Sequence, residues 1–386
     1  MKGFLTKLLS LGLTFVLLFV CLVGCGKDSG EDSGDNGFGG NIVGAEGIKN
    51  VIIIIGDGMG LNHVKAGELY EGKDYAFTSW HQTTVNTDSF DGEGRYTLTD
   101  SAAGGTAIAT GVVTWNGFVG VDPYGDDLPT VMDRAKELGK ATAVISTDAV
   151  YGATPASFSG HSWSRGNTLE IVSSQIQTSN CDLLCGAIDS VTVGMDTQTL
   201  LKENGYTFCS DYENISETLN AEKAYWQFDL SGVDATVGLE DVTSKALEFV
   251  EDDEDGFVMM IEQAHVDKYS HDNNFLSAVK SVASLNRTVE AVMEWIGDRT
   301  DTAVLITADH ETGGLSVGES VEFGDSCTSL LGKEFSFRYS STGHTKTPVG
   351  LFVYGITPDF STFDFYAKDS IIKNTETGKM IFSLLK

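Results

Sequence analysis

The sequence predicts an α/β protein, a three-layer α/β/α sandwich around a central, mostly parallel sheet. Three observations predict it. Continuous apolar, largely β-branched runs recur at residues 50–55, 141–145, 257–261, 303–306 and 349–354. They lack the polar/apolar alternation of a strand with one wet face, so they suit strands buried on both faces. Segments of helical periodicity lie between them, at 128–138, 242–250 and 275–296, and strands alternating with helices imply a parallel sheet covered on both sides. Finally, 386 residues, 41% of them hydrophobic, suffice for a large core.

The chain begins with a positive stretch (Lys2, Lys7) followed by a nearly unbroken apolar run over 8–23, which reads as an export signal. The run ends in Leu22-Val23-Gly24-Cys25, resembling a bacterial lipobox. This predicts a lipoprotein signal peptide at 1–24, a diacylated Cys25 as membrane anchor and a location in the bacterial cell envelope; an uncleaved membrane anchor is the alternative. Residues 25–46, rich in Gly, Ser, Asp and Glu, read as a flexible acidic tether, and 47–386 as the folded domain.

From Gly47 onward no composition break demands a second domain. The stretch 181–238 is less periodic and reads as an αβ excursion beside the core. Cys181, Cys185, Cys209 and Cys327 form an even set in an exported chain, which permits disulfides in three pairings or, alternatively, four free thiols. The formal charge of −30 excludes nucleic-acid binding by bulk electrostatics. It also requires any phosphate site to create positive charge locally, from metals or arginine.

In parallel sheets, ligands bind beyond the carboxyl ends of the strands. Asp57 follows the first apolar run inside Gly56-Asp57-Gly58-Met59-Gly60, Glu262 ends the third, and Asp309-His310 follow the fourth. Alone, each is an ordinary βα turn. Thr99-Asp100-Ser101-Ala102-Ala103-Gly104-Gly105-Thr106-Ala107 has helix-start chemistry, so Asp100 or Ser101 reads as an N-cap. The same geometry places a serine oxygen in positive potential that suits a bound phosphate. Asp267 and His271 are four apart, on one helical face, as a metal pair or a plain surface ion pair. His344 alone reads as a loop residue. Several ligand-bearing strand ends in one chain, with a serine at a helix start, point to more than one divalent cation beside a nucleophile.

The ordered motifs, above all DSAAGGTA (101 is its serine) and TADHETGG (309 is its aspartate), resemble those of the alkaline phosphatases from Asn50 to about Gly355. The resemblance implies hydrolysis of small phosphate monoesters through a phosphoserine on Ser101, releasing phosphate and an alcohol. It implies two zinc ions, one held by Asp57, Asp309 and His310 beside Ser101, the other by Asp267, His271 and His344. It implies one magnesium held by Asp57, Thr154 and Glu262. Arg165 would grip two phosphate oxygens, Asp100 would orient Arg165, and Lys268 would act near phosphate through water. Relatives carry Asp or His two residues before Thr154, where this chain has Gly152. The expectation is therefore a weak or differently occupied third site and a Lys268 without its usual partner. The short segment between His310 and His344 implies a reduced surface subdomain, and the resemblance is compatible with a homodimer. A related hydrolase of diesters or sulfate esters, and a non-catalytic phosphate- or metal-binding lipoprotein, stay open as alternatives.

Overall fold

All five apolar runs become strands of one sheet in a computed structural model, which describes residues 40–91, 93–178, 181–231, 237–366 and 371–386. The signal segment 1–24, Cys25 and the tether up to 39 lie outside the described residues. In chain order the sheet strands are β1 (Asn50–Gly56), β2 (His81–Asn86), β3 (Ala141–Ala149), β4 (Leu183–Ala187), β5 (Tyr206–Cys209) and β6 (Lys223–Trp226), then β7 (Phe257–Gln263), β8 (Thr302–Thr307), β9 (Val349–Tyr354), β10 (Phe365–Tyr366) and β11 (Ile371–Lys373). Across the sheet they run β10-β11-β2-β9-β8-β1-β7-β3-β4-β6-β5. Every residue of β1, β7 and β8 is buried, as strands covered on both faces must be.

The helices around the sheet are α1 (Leu61–Glu71), α2 (Ser101–Thr110), α3 (Val131–Glu137), α4 (Ala153–Ser159), α5 (Leu239–Val250), α6 (His265–His271), α7 (Phe275–Ile296) and α8 (Asn374–Leu384). They form two groups: α7 packs on α1, α5 and α6, while α2 packs on α3, α4 and α8. These are the outer layers of the sandwich. The periodic segment at 128–138 becomes helical only from Val131, because Thr130 caps that helix by accepting a hydrogen bond from the Asp133 N–H.

Two sequence expectations need correction. The stretch 181–238 is no excursion: it supplies β4, β6 and β5, which extend the central sheet in parallel from β3. Nor is the tether loose up to 46, since Ile42–Val43 pairs antiparallel with Thr357–Pro358. No disulfide joins any two of Cys181, Cys185, Cys209 and Cys327, so the disulfide reading gives way to its alternative.

The run at 349–354 is a strand, but β9 pairs antiparallel with β8 and with β2. The reason is the path of the chain. It leaves β8 at the edge that carries Asp309, and Glu311–Thr312 then pairs with His344–Thr345 at that same edge, so the next strand must run back. Between these two pairs sits a three-stranded antiparallel sheet (Ser316–Gly318, Asp325–Thr328, Glu334–Arg338), the reduced surface subdomain.

Candidate active site

Register brings the ligands to one level. Ile55 of β1 lies opposite Glu262 of β7 on one side and Thr307 of β8 on the other. Asp57 and Asp309 therefore leave neighbouring strands together, with Glu262 ending the strand on the far side of β1. Helix α2 closes on this edge because residue 104 is glycine: a β-carbon there would fall 2.6 Å from the Asp309 carbonyl oxygen.

Ser101 is the first residue of α2, and Asp100 is its N-cap, accepting from the Ala103 N–H at 3.1 Å. The capping reading thus holds for Asp100, and it leaves the Ser101 hydroxyl at the helix start. The Ser101 Oγ lies 3.2 Å from His310 Nε2, so the histidine that is distant in sequence adjoins the hydroxyl in space. His310 Nε2 is also 3.5 Å from Asp57 Oδ1 and 3.3 Å from Asp309 Oδ2. Asp57, Asp267 and His310 converge on one point, and Asp267, His271 and His344 on another. Asp267 faces both. Its Oδ1 is 3.3 Å from His271 Nε2 and 3.6 Å from His344 Nε2, so His344 is no mere loop residue.

The three histidines share a device. His271 Nδ1 donates to the Thr342 carbonyl (2.6 Å), His344 Nδ1 to the Thr99 carbonyl (2.9 Å), and His310 Nδ1 to Thr312 Oγ1 (3.2 Å). Each partner holds the proton on Nδ1 and leaves the Nε2 lone pair aimed at the carboxylates, as second partners of metal-bound imidazoles do.

Electrostatics argue in the same direction. Burial, then the neighbouring Asp309, Asp267 and Glu262, raise the Asp57 carboxyl well above its ordinary range. Burial also raises Asp309 and pushes Glu262 up to about 8. His310 is held down at about 3, first by burial and then by His344. Asp57 Oδ1, Asp309 Oδ2 and Thr154 Oγ1 are buried without a hydrogen-bond partner. Orphaned carboxylate oxygens beside neutral imidazoles are costly as they stand and become favourable around divalent cations. The donor set therefore fits metals, with carboxylate and imidazole suiting zinc and the all-oxygen trio Asp57, Thr154 and Glu262 suiting magnesium.

Arg165 reaches the rim of the serine, its Nη1 3.1 Å from Asp100 Oδ2, and the Gly117 N–H holds the same carboxylate. Contrary to expectation, Lys268 has a carboxylate partner: its Nζ pairs with Asp148 Oδ2. Sequence reasoning missed Asp148 and four supporting groups. Ser146 Oγ donates to Glu262 Oε2, and Thr312 Oγ1 donates to Asp267 Oδ1. Glu311 accepts from Gly314 N–H, Leu315 N–H and Thr345 Oγ1, bracing the two ligand loops against each other. His63, wholly buried and held at about 3 by desolvation, sits behind them against Ser270 Oγ at 3.1 Å. Thr312 and Glu311 lie within the TADHETGG motif; His63 carries no comparable signal.

Known proteins show the same arrangement of chain. The family model described as alkaline phosphatase matches residues 48–201 and 219–375. Alkaline phosphatase 3 of Bacillus subtilis (strain 168) is 30% identical over 290 residues, 70% of this chain and 63% of that protein. The chain thus spans less than two thirds of that relative's length. The alkaline phosphatase of Escherichia coli (strain K12) is 28% identical over 329 residues, 68% of this chain and 70% of its own. In fold, the chain is similar to the alkaline phosphatase from the Antarctic bacterium TAB5, with a TM-score of 0.76 at 24% identity over 90% of this chain and 98% of that one. The chain belongs to the alkaline phosphatase family.

Proposed function

We propose that this protein hydrolyses phosphate monoesters by way of a phosphoserine on Ser101. One observation carries the reading: a serine Oγ at a helix N-terminus lies 3.2 Å from the Nε2 of a buried neutral histidine that belongs to one of two carboxylate–imidazole clusters, and the N-cap of the serine's helix, Asp100, holds Arg165. Asp57, Asp309 and His310 would hold one zinc ion, Asp267, His271 and His344 the other, and Asp57, Thr154 and Glu262 a magnesium. When bound, the zinc ions would supply positive charge to the serine, the leaving group and the attacking water.

The chain's own groups do the positioning. The first-turn N–H groups of α2 point towards the phosphate and favour its charge. Arg165, steered by Asp100, takes non-bridging oxygens in bidentate fashion. Ser101 Oγ gives its proton to solvent water and forms a bond to phosphorus while the bond from phosphorus to the ester oxygen breaks, and that oxygen takes up a proton from water to leave as the alcohol. Water then bonds to phosphorus from the vacated side, Ser101 Oγ leaves and regains a proton, and inorganic phosphate is released. Two in-line displacements give net retention at phosphorus. Positioning and charge stabilisation suffice for this chemistry.

The test is p-nitrophenyl phosphate hydrolysis at alkaline pH with zinc and magnesium, beside Ser101→Ala and a chelated sample. Activity lost in both controls supports the reading; no turnover by folded, zinc-loaded protein sinks it. Anchoring through Cys25 belongs to the same proposal and is tested by incorporation of labelled fatty acid, absent in Cys25→Ser. A homodimer is tested by the mass in solution. Among the described residues no helix is long and apolar enough to cross a membrane.

A further inference from the structure

Strand β3 is regular on one edge and broken on the other. Against β7 its ladder runs without interruption to Ser146 opposite Glu262. Against β4, Ile145 pairs with Cys185 and the next pair is Ala149 with Ala187, so residues 146–148 together oppose Gly186 alone. A bulge of this kind beside a site re-aims side chains. Here all three reach the end of β7 and the start of α6. Ser146 Oγ donates to Glu262 Oε2. Thr147 Oγ1 donates to Gln263 Oε1 at 3.1 Å and accepts from the Ala264 N–H at 3.0 Å. Asp148 Oδ2 pairs with Lys268 Nζ, and the Asp148 N–H donates to Ser146 Oγ at 3.0 Å. Asp148 and Glu262 are thus tied through one hydroxyl.

The glycine at 152 has a steric reason. Its N–H donates to the Ala149 carbonyl at 2.8 Å, and a β-carbon there would lie 2.9 Å from that same oxygen. Backbone occupies the space a side chain would need. Two residues on, Thr154 is 1% exposed and its Oγ1 has no partner, so an oxygen-lined position remains in need of a ligand.

We propose that Asp148 is the positioning carboxylate of the third cation site: from the bulge of β3 it holds Lys268 and supplies the outer negative charge around Asp57, Thr154 and Glu262 that residue 152 cannot. The third site is then complete rather than weakened. The proposal rests on the monoesterase reading and is separable from it by experiment.

The full chain, with zinc retained and magnesium removed, is titrated with magnesium chloride by calorimetry, and inhibition by inorganic phosphate is measured in parallel. Asp148→Asn keeps the side-chain size at a partly exposed position, and Asp148→Glu keeps the charge. Expected are a single magnesium site in the wild type, affinity lower by about tenfold or more in Asp148→Asn, weaker phosphate inhibition in the same variant, and recovery of both in Asp148→Glu. Equal zinc content and melting temperature in the zinc-loaded variants show that the fold is intact. An Asp148→Asn protein with wild-type magnesium affinity and phosphate inhibition overturns the proposal, as does a wild type with no magnesium site. Either result in an enzyme that still hydrolyses p-nitrophenyl phosphate leaves the monoesterase reading standing; a zinc-loaded wild type without turnover removes that reading instead.

Discussion

Stripped of metal, the protein should lose stability as pH rises from 6.5 to 8. Burial holds Glu262 at about 8 against an ordinary 4.5. Between those values the folded state keeps a proton that the unfolded chain has released, so unfolding gains as protons become scarce. The buried histidines act in the opposite sense. His63 and His310 are held at about 3 against 6.5, so the unfolded state binds more protons below 6.5 and stability is lost as pH falls below that point. At 6.5 the unfolded histidines are still half protonated, so each returns about 0.4 kcal/mol across the window and together they offset roughly half of the fall due to Glu262 alone; their contribution fades within about one pH unit above 6.5. Each pH unit over which the folded state alone keeps its proton is worth about 1.4 kcal/mol. Glu262 is half titrated at the upper end of the window, so by itself it costs roughly 1.5 kcal/mol across it. Asp57 and Asp309 are shifted in the same direction and steepen the fall. The assay is the melting temperature of chelated protein at intervals across the window, and the expected drop is a few degrees. Glu262→Gln should flatten the slope. Saturating zinc and magnesium should reverse it, because ions bind the deprotonated ligands. A melting temperature that is level or rising in chelated wild type would refute the view that burial keeps these carboxylates protonated until cations arrive.

Other perturbations have equally definite outcomes. Ser101→Ala should lower p-nitrophenyl phosphate turnover by roughly a thousandfold or more while zinc content, read by atomic absorption, stays at the wild-type level. Arg165→Ala should weaken inhibition by inorganic phosphate by about ten- to a hundredfold, the worth of charge-assisted hydrogen bonds, and Asp100→Asn, which leaves the guanidinium unsteered, should weaken it less. Gly104→Ala drives a methyl group to within 2.6 Å of the Asp309 carbonyl oxygen; a cost of about 1–3 kcal/mol in denaturant unfolding should accompany a fall in turnover as α2 is pushed from the site. Glu311→Gln, at a buried carboxylate that receives two backbone N–H groups and the Thr345 hydroxyl, should destabilise by about 1–3 kcal/mol and lower zinc affinity, measured by competition with a chelator.

The parts of this site legible in the sequence are those that physics places locally. An apolar run buried on both faces ends where the first carboxylate appears, so Asp57, Glu262 and Asp309 announced themselves at strand ends, and an N-cap motif announced Ser101. The i,i+4 spacing put Asp267 and His271 on one face of α6. What could not be read depends on long-range geometry. The direction of β9 follows from where the chain re-enters after the small sheet, and no property of Val349–Tyr354 itself encodes it. The Asp148–Lys268 pair depends on a bulge, and a bulge is a relation between two strands. Asp148 sits near the end of β3 between Thr147 and Ala149 and carries no motif, and His63 is an ordinary residue of α1 until the fold buries it behind Glu311.

The register of the central strand has a consequence for how the chain reaches this state. Val51–Ile55 is wholly apolar, and among the described residues its strand neighbours are β7 and β8. During synthesis from the N-terminus both of these native partners emerge late, whereas β3 to β6 can assemble among themselves. A wholly apolar, β-branched stretch thus waits long for its partners, the condition that favours aggregation. Such a nascent chain calls for a holding factor that covers the segment ending at Gly56. The two proposed metal clusters also cannot close until His310 and His344 have been made, so a product truncated before them is expected to carry Ser101 without turnover.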